Sequence, residues 1–208
     1  MTTKQIIENV TNWVSENICS KIKLKIPDDH QNGDGYTVRT VTPAAFPLYV
    51  PAKDRLAPEI MAPIPSVCVQ LMEGSDDIKE HTRTMKIRLC LATWNPGEHP
   101  GERITPIEDP AAIGGYRYEA AIDPGRKYKR NSDGWKDLYN FQDIVLRAIE
   151  AEQIIAGVRI YSGTPITYGP FTEDGAIWDY YPYWNGWVAF TIACGIPLQK
   201  SETYGDLL

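Results

Sequence analysis

The sequence is poor in residues that staple a fold or bind metal. Its four cysteines, Cys19, Cys68, Cys90 and Cys194, form no CxxC pair in 208 residues. A disulfide framework is therefore not expected, and Cys68 and Cys90, lying in strand-like runs, read as small buried hydrophobes. The three histidines, His30, His81 and His99, show no metal-ligand spacing and read as structural or solvent-facing. No apolar run reaches about 18 residues, so no membrane-spanning helix is expected. Residues 1–10 lack a basic stretch leading into an apolar one, so no signal peptide is expected. Positive charge is also short. Lys and Arg number 21 against 27 Asp and Glu, a net charge of −6, which excludes a protein that coats nucleic acid. The phosphate-cradling patterns GxxxxGK[ST] and GxGxxG are missing, as are GxSxG and HExxH. No catalytic residue, metal ligand or cofactor is assigned.

The periodicities that are present describe an α+β chain. In residues 3–20, Ile6, Ile7, Val10, Trp13 and Val14 recur at helical spacing, with Thr2 or Thr3 as cap. In residues 21–26 the period changes to two: Ile22, Leu24 and Ile26 alternate with Lys21, Lys23 and Lys25, a strand with one wet basic face that discourages edge pairing. Six prolines between 43 and 65 argue for an ordered connection with short extended pieces. Residues 66–71 and 83–93 alternate as strands, with a turn at 73–77 and a long connection between them. Residues 95–133 form a long Gly/Pro-rich insertion, of the kind that is functional or mobile. A second helix is expected over 135–156, with Ser132 or Asp133 as cap and Gly157 as stop. Short strands at 158–161 and 166–168 follow. Residues 187–194 then read as the second arm of a hairpin turning at Asn185-Gly186. The chain thus reads as one α+β domain spanning 1–208. An antiparallel or mixed sheet packs against one long helix and an N-terminal helix, with insertions at about 43–63 and 95–133.

Three clusters stand out for function. Trp178, Tyr180, Tyr181, Tyr183, Trp184 and Trp187 are the densest aromatics, and suit core packing, a protein interface or a sugar-stacking platform. Arg126, Lys127, Lys129 and Arg130 form the one dense basic cluster, either a solvated loop or a contact with an acidic surface or passing DNA. Glu173 and Asp174 beside the aromatics could describe a glycosidase pair, but Thr172-Glu173-Asp174-Gly175 is also simply turn composition.

The order of these segments carries a resemblance. An N-terminal amphipathic helix is followed by Pro65-Ser66-Val67-Cys68-Val69-Gln70 and a Gly/Asp turn. Then come Met85-Lys86-Ile87-Arg88-Leu89-Cys90-Leu91, the helix opening Trp135-Lys136-Asp137-Leu138-Tyr139-Asn140-Phe141, and a closing Trp187-Val188-Ala189-Phe190-Thr191-Ile192. This order resembles the tail terminator, or tail completion, proteins of long-tailed bacteriophages and prophages. The likeness spans about residues 3–194 and is one of pattern, with no diagnostic motif. The two insertions are long for a minimal terminator.

The resemblance implies a small α+β virion protein without catalysis or cofactor, located in the tail or neck and in the host cytoplasm during assembly. It implies a homo-oligomeric ring of six subunits that caps the tail tube, ends its growth and meets the head–tail connector. DNA would pass through the lumen without specific binding, and no membrane is involved. Trp178, Tyr181, Tyr183 and Trp184, with Arg126, Lys127, Lys129 and Arg130, are then candidate interface residues. The insertion at 95–133 and a hairpin at 178–187 are expected to reach neighbouring subunits, with an acidic face lining the lumen and the basic segment 126–130 outside it or touching DNA sparsely. The alternatives are a carbohydrate-binding module or glycosidase-like enzyme using Trp178, Tyr181 and Trp184 with Glu173 or Asp174, or another phage neck or tube protein.

Overall fold

The computed structural model describes residues 1–27, 35–36, 38–97, 104–120, 128–129 and 133–196. Helix α1, Thr3–Asn17, starts at a capping box: the Gln5 amide donates to Thr2 Oγ1 at 3.3 Å and the Thr2 amide to Gln5 Oε1 at 2.9 Å. Its apolar stripe Ile6, Val10, Trp13 and Val14 is buried. A short 3₁₀ turn at Cys19–Lys21 replaces the helix's expected last turn.

Strand β1 (Leu24–Lys25) pairs with β3 (Thr40–Val41), and β2 (Gly35–Tyr36) pairs with β9 (Tyr128–Lys129), both outside the main sheet. The main sheet is seven-stranded and mixed. Strand β4 (Ala44–Pro47) lies at one edge, parallel to β5 (Ser66–Asp77). Strand β6 (Thr82–Trp94) pairs with β5 on one side and with β15 (Tyr183–Gly195) on the other. The far side of β15 takes two short partners, β11 (Val158–Ile160) and β12 (Thr167–Pro170), and β10 (Ile154–Ile155) pairs with β11. Among the described residues there are also two small hairpins: β7 (Ile104–Glu108) with β8 (Tyr116–Ala120), and β13 (Thr172–Glu173) with β14 (Ala176–Ile177).

The period-two alternation decides which side of the sheet is core. Val67 and Val69, Ile87, Leu89 and Leu91, and Val188, Phe190 and Ile192 all face one side and are buried. Helix α1 and helix α2 (Trp135–Ala151) cover that side, α2 presenting Leu138, Phe141, Val145 and Ile149. Phe141 and Val145 are wholly buried, so truncating Phe141 to Ala would cost about 3–5 kcal/mol. Gln142, also buried, donates from Nε2 to the Trp187 carbonyl at 2.9 Å and the Gly169 carbonyl at 3.2 Å, pinning α2 to β15 and β12. The α+β architecture, with one long and one N-terminal helix against a mixed sheet, is therefore as expected from the sequence.

Several local expectations are corrected. Lys25 does not lie on a wet face: it is buried and paired with Asp137 on α2 at 3.2 Å. Residues 73–77 are not a turn, since β5 continues through them, and the connection to β6 is the short turn 78–81. A bulge between Leu71 and Glu73 breaks the alternation there, and all side chains from Met72 onward are exposed, so no buried pattern marked the strand. Asn185-Gly186 is not a hairpin turn but lies inside β15, opposite Ala92 and Leu91. Gly186 is needed for closeness: a Cβ there would lie 2.9 Å from the Gly169 carbonyl oxygen and 3.2 Å from Leu138. Helix α2 stops at Ala151, and Ala156-Gly157, with φ of 52° and 79°, make the two-residue turn between β10 and β11. Its N-cap is Gly134, with no side-chain cap from Ser132 or Asp133. Within the expected insertions, 43–63 contributes β4 to the main sheet, and 95–133 contains β7, β8 and β9. Ile113, between β7 and β8, packs against the main core.

Candidate functional site

The aromatic segment splits into an internal clamp and an exposed wall. The clamp begins where β6 ends. Asn95 is buried, its Nδ2 donating to Asp137 Oδ2 at 2.8 Å and its Oδ1 accepting from the Gly97 amide at 2.9 Å. The Trp184 indole donates to the Asn95 carbonyl at 2.8 Å, and the Tyr181 hydroxyl donates to the Pro96 carbonyl at 2.9 Å. Tyr181 and Trp184 meet edge-on at 83°. Gly134 lies beneath this contact; a Cβ on it would fall 1.7 Å from the Asn95 carbonyl oxygen and 2.7 Å from the Trp184 indole nitrogen. Lys25, Asp137, Asn95, Trp184 and Tyr181 thus tie β1, α2, the end of β6 and the start of β15 together. Tyr183 packs on buried Trp94. Trp184 and Tyr183 are half-buried, so of the four aromatic candidates they offer the least surface.

The wall stands on the sheet face away from the helices. There Cys68 and Cys90 are direct cross-strand partners, as are Gln70 and Arg88. Gln70 Oε1 accepts from Arg88 Nη2 at 2.7 Å, Arg88 Nε at 3.2 Å and Cys90 Sγ at 3.2 Å, while its Nε2 donates to the Leu48 carbonyl. Arg88 sits 5.6 Å from the centre of the Phe171 ring, within cation–π range. Phe171 stacks on Trp178 at 5.5 Å, and Trp178 meets Tyr180 edge-on. Opposite them stand Tyr49, 70% exposed, and Val50. Between these walls runs an open groove of about 400 Å³, floored by Gln70, Arg88, Cys90 and Asn185. Among the described residues, Arg88 is the only charged one lining it.

Burial, the larger influence, pushes the Cys68 thiol up to about 12, with the neighbouring Cys90 adding to it against Gln70 and Arg88. Burial raises Cys90 in the same direction. Thiols held neutral in this way are poor nucleophiles, so the pair reads as floor. No group of three or more metal-ligating side chains occurs among the described residues.

Glu173 and Asp174 sit at the β13–β14 hairpin, Asp174-Gly175 forming its turn with positive φ. With Asp179, Trp178 and Tyr180 they line a second open depression of about 380 Å³. The trio Trp178, Tyr181 and Trp184 does not form one platform, because the latter two are committed to the backbone of residues 95 and 96. Of the basic cluster, Arg126, Lys127 and Arg130 lie outside the described residues, and the backbone of Lys129 is in β9.

Sequence reading missed Tyr49, Phe171 and Arg88 as neighbours of Trp178. Each is unremarkable alone, and only the register across β4, β5, β6, β15 and β12 brings them together. It also missed the protruding end of β5 and β6, where Ile78 is 80% exposed. No helix among the described residues is long and apolar enough to cross a membrane. The chain matches no family model and no curated protein.

Proposed function

We propose that this chain is a structural, ring-forming subunit of the tail-terminator type, which caps a tail tube, stops its growth and joins it to the head connector. The observation that carries this reading is a pair of unlike exposed features on one continuous sheet. At one end lies the aromatic-walled groove on the outer face; at the other, β5, β6 and β15 extend as a ribbon ending in exposed Ile78. A ring with cyclic symmetry needs such a heterologous pair of surfaces on every subunit, whereas a two-fold dimer needs one patch that matches itself. The groove's composition suits a contact, since aromatics and Arg are enriched at the energetic centres of protein interfaces. In this reading six copies close on one another. The tail tube protein and the head connector are the further partners, and DNA passes through the lumen without specific binding.

Light scattering on the purified chain tests the proposal. The expected result is one closed species at a fixed multiple of 23.4 kDa that does not grow with concentration. A monomer at all concentrations, or growth without limit, overturns it. A carbohydrate-binding reading draws on the depression of Glu173, Asp174, Trp178, Asp179 and Tyr180. A tryptophan-fluorescence screen against sugars separates the two, and no response is expected.

A further inference from the structure

We infer that the protruding β5–β6 tip of one copy docks in the outer-face groove of the next, with Ile78 as the anchor between the aromatic walls; this rests on the ring reading above. Three observations carry it. First, the tip presents an isolated apolar side chain on a rigid support. Ile78 is 80% exposed, and the turn beneath it is held by Asp77 Oδ1, which accepts from the Lys79 and Glu80 amides at 3.0 Å each. Arg83 braces the strands through a two-pronged contact with Asp76, both bonds at 2.7 Å. The Ile196 amide bonds the His81 carbonyl, so β15 supports the ribbon to its end. A preorganised element loses little freedom on docking.

Second, the charges are complementary. Residues 72–83 carry four carboxylates, Glu73, Asp76, Asp77 and Glu80, against Lys79 and Arg83. Among the described residues, the groove's one charged side chain is Arg88, whose guanidinium is held by the neutral Gln70 oxygen with no carboxylate paired to it. An acidic tip entering the groove supplies that missing charge, and stacked Phe171 and Trp178 supply an apolar wall for Ile78.

Third, the two features cannot meet within one chain. They lie on the same continuous strand pair, Cys90 in the groove standing eight residues along β6 from Thr82 at the tip, about 26 Å at 3.3 Å per residue. Tip and groove are therefore head and tail of one rigid body, and they can engage only between copies.

The test uses the full chain and two exposed-site variants: Ile78→Asp at the tip and Tyr49→Ala/Trp178→Ala at the groove, each checked for an unchanged thermal melt. Sedimentation should show the wild type as rings, and each variant as monomer with assembly weakened roughly 30-fold or more. Mixed together, the two variants should form a one-to-one heterodimer and stop, because the tip variant keeps an intact groove and the groove variant an intact tip. Rings from either variant, or no heterodimer in the mixture, overturn the docking mode while leaving the ring reading in place. A wild type that stays monomeric overturns both. If Ile78→Asp alters the melt, Ile78→Ser replaces it with the same outcomes.

Discussion

Replacing Asp137 with alanine probes the polar clamp that fixes the aromatic segment. The Lys25 and Asp137 side chains are 4% and 7% exposed and meet at 3.2 Å. Removing the carboxylate leaves an ammonium ion buried and takes away the acceptor of Asn95 Nδ2. Breaking a buried pair from one side costs about 3–5 kcal/mol. In a chain of 208 residues each kcal/mol moves Tm by about 2–4 °C, so the expected drop is roughly 6–20 °C. Asp137→Asn retains an oxygen that can accept from Lys25 and Asn95, and it should lose less. A cycle of Lys25→Met, Asp137→Asn and the double variant, followed by urea denaturation, should show coupling of about 1 kcal/mol or more. An Asp137→Ala cost below about 1 kcal/mol, or single effects that simply add, would refute the clamp as a stabilising unit.

Gly134→Ala would force a methyl into the Asn95 carbonyl, and near-UV circular dichroism should show loss of the ordered Trp184 signal with a lowered melting point. Burial lifts the Cys19 and Cys68 thiols to about 12, from 9.0 when unperturbed. The folded state therefore holds protons that the unfolded chain releases. This stability is fully present below pH 9 and declines towards pH 12, each thiol contributing a slope of about 1.4 kcal/mol per pH unit. Urea midpoints across that range should fall, and Cys19→Ala/Cys68→Ala should flatten the fall. Arg83 holds the Asp76 carboxyl below the usual range through its hydrogen bonds, so in Arg83→Ala an NMR titration should find Asp76 returned upward. An unmoved Asp76 would discount that pairing.

The parts of the fold legible in the sequence were those where period and burial coincide. The stripes Ile6–Val10–Val14 and Leu138–Phe141–Val145–Ile149, and the alternation in 85–91 and 188–192, each placed an element and its buried face. The errors fell where tertiary contacts override local chemistry. Asn185-Gly186 has the composition of a tight turn, yet its glycine serves the approach of Gly169 and Leu138 across a continuous strand. Lys25 alternates as a solvent-facing residue would, but a carboxylate 112 positions away lets it be buried. The candidate site was only partly readable for the same reason. The aromatic cluster is visible as composition, but its division into clamp and wall depends on cross-strand register and on the Asn95 backbone, which no local pattern encodes.

Negative-stain imaging of the purified chain tests most directly whether this polypeptide works by assembling with copies of itself. The expected images show discs of one diameter with a central hole, each closed and none stacked into a tube. Monomers at every concentration tried, or open-ended filaments, would contradict it.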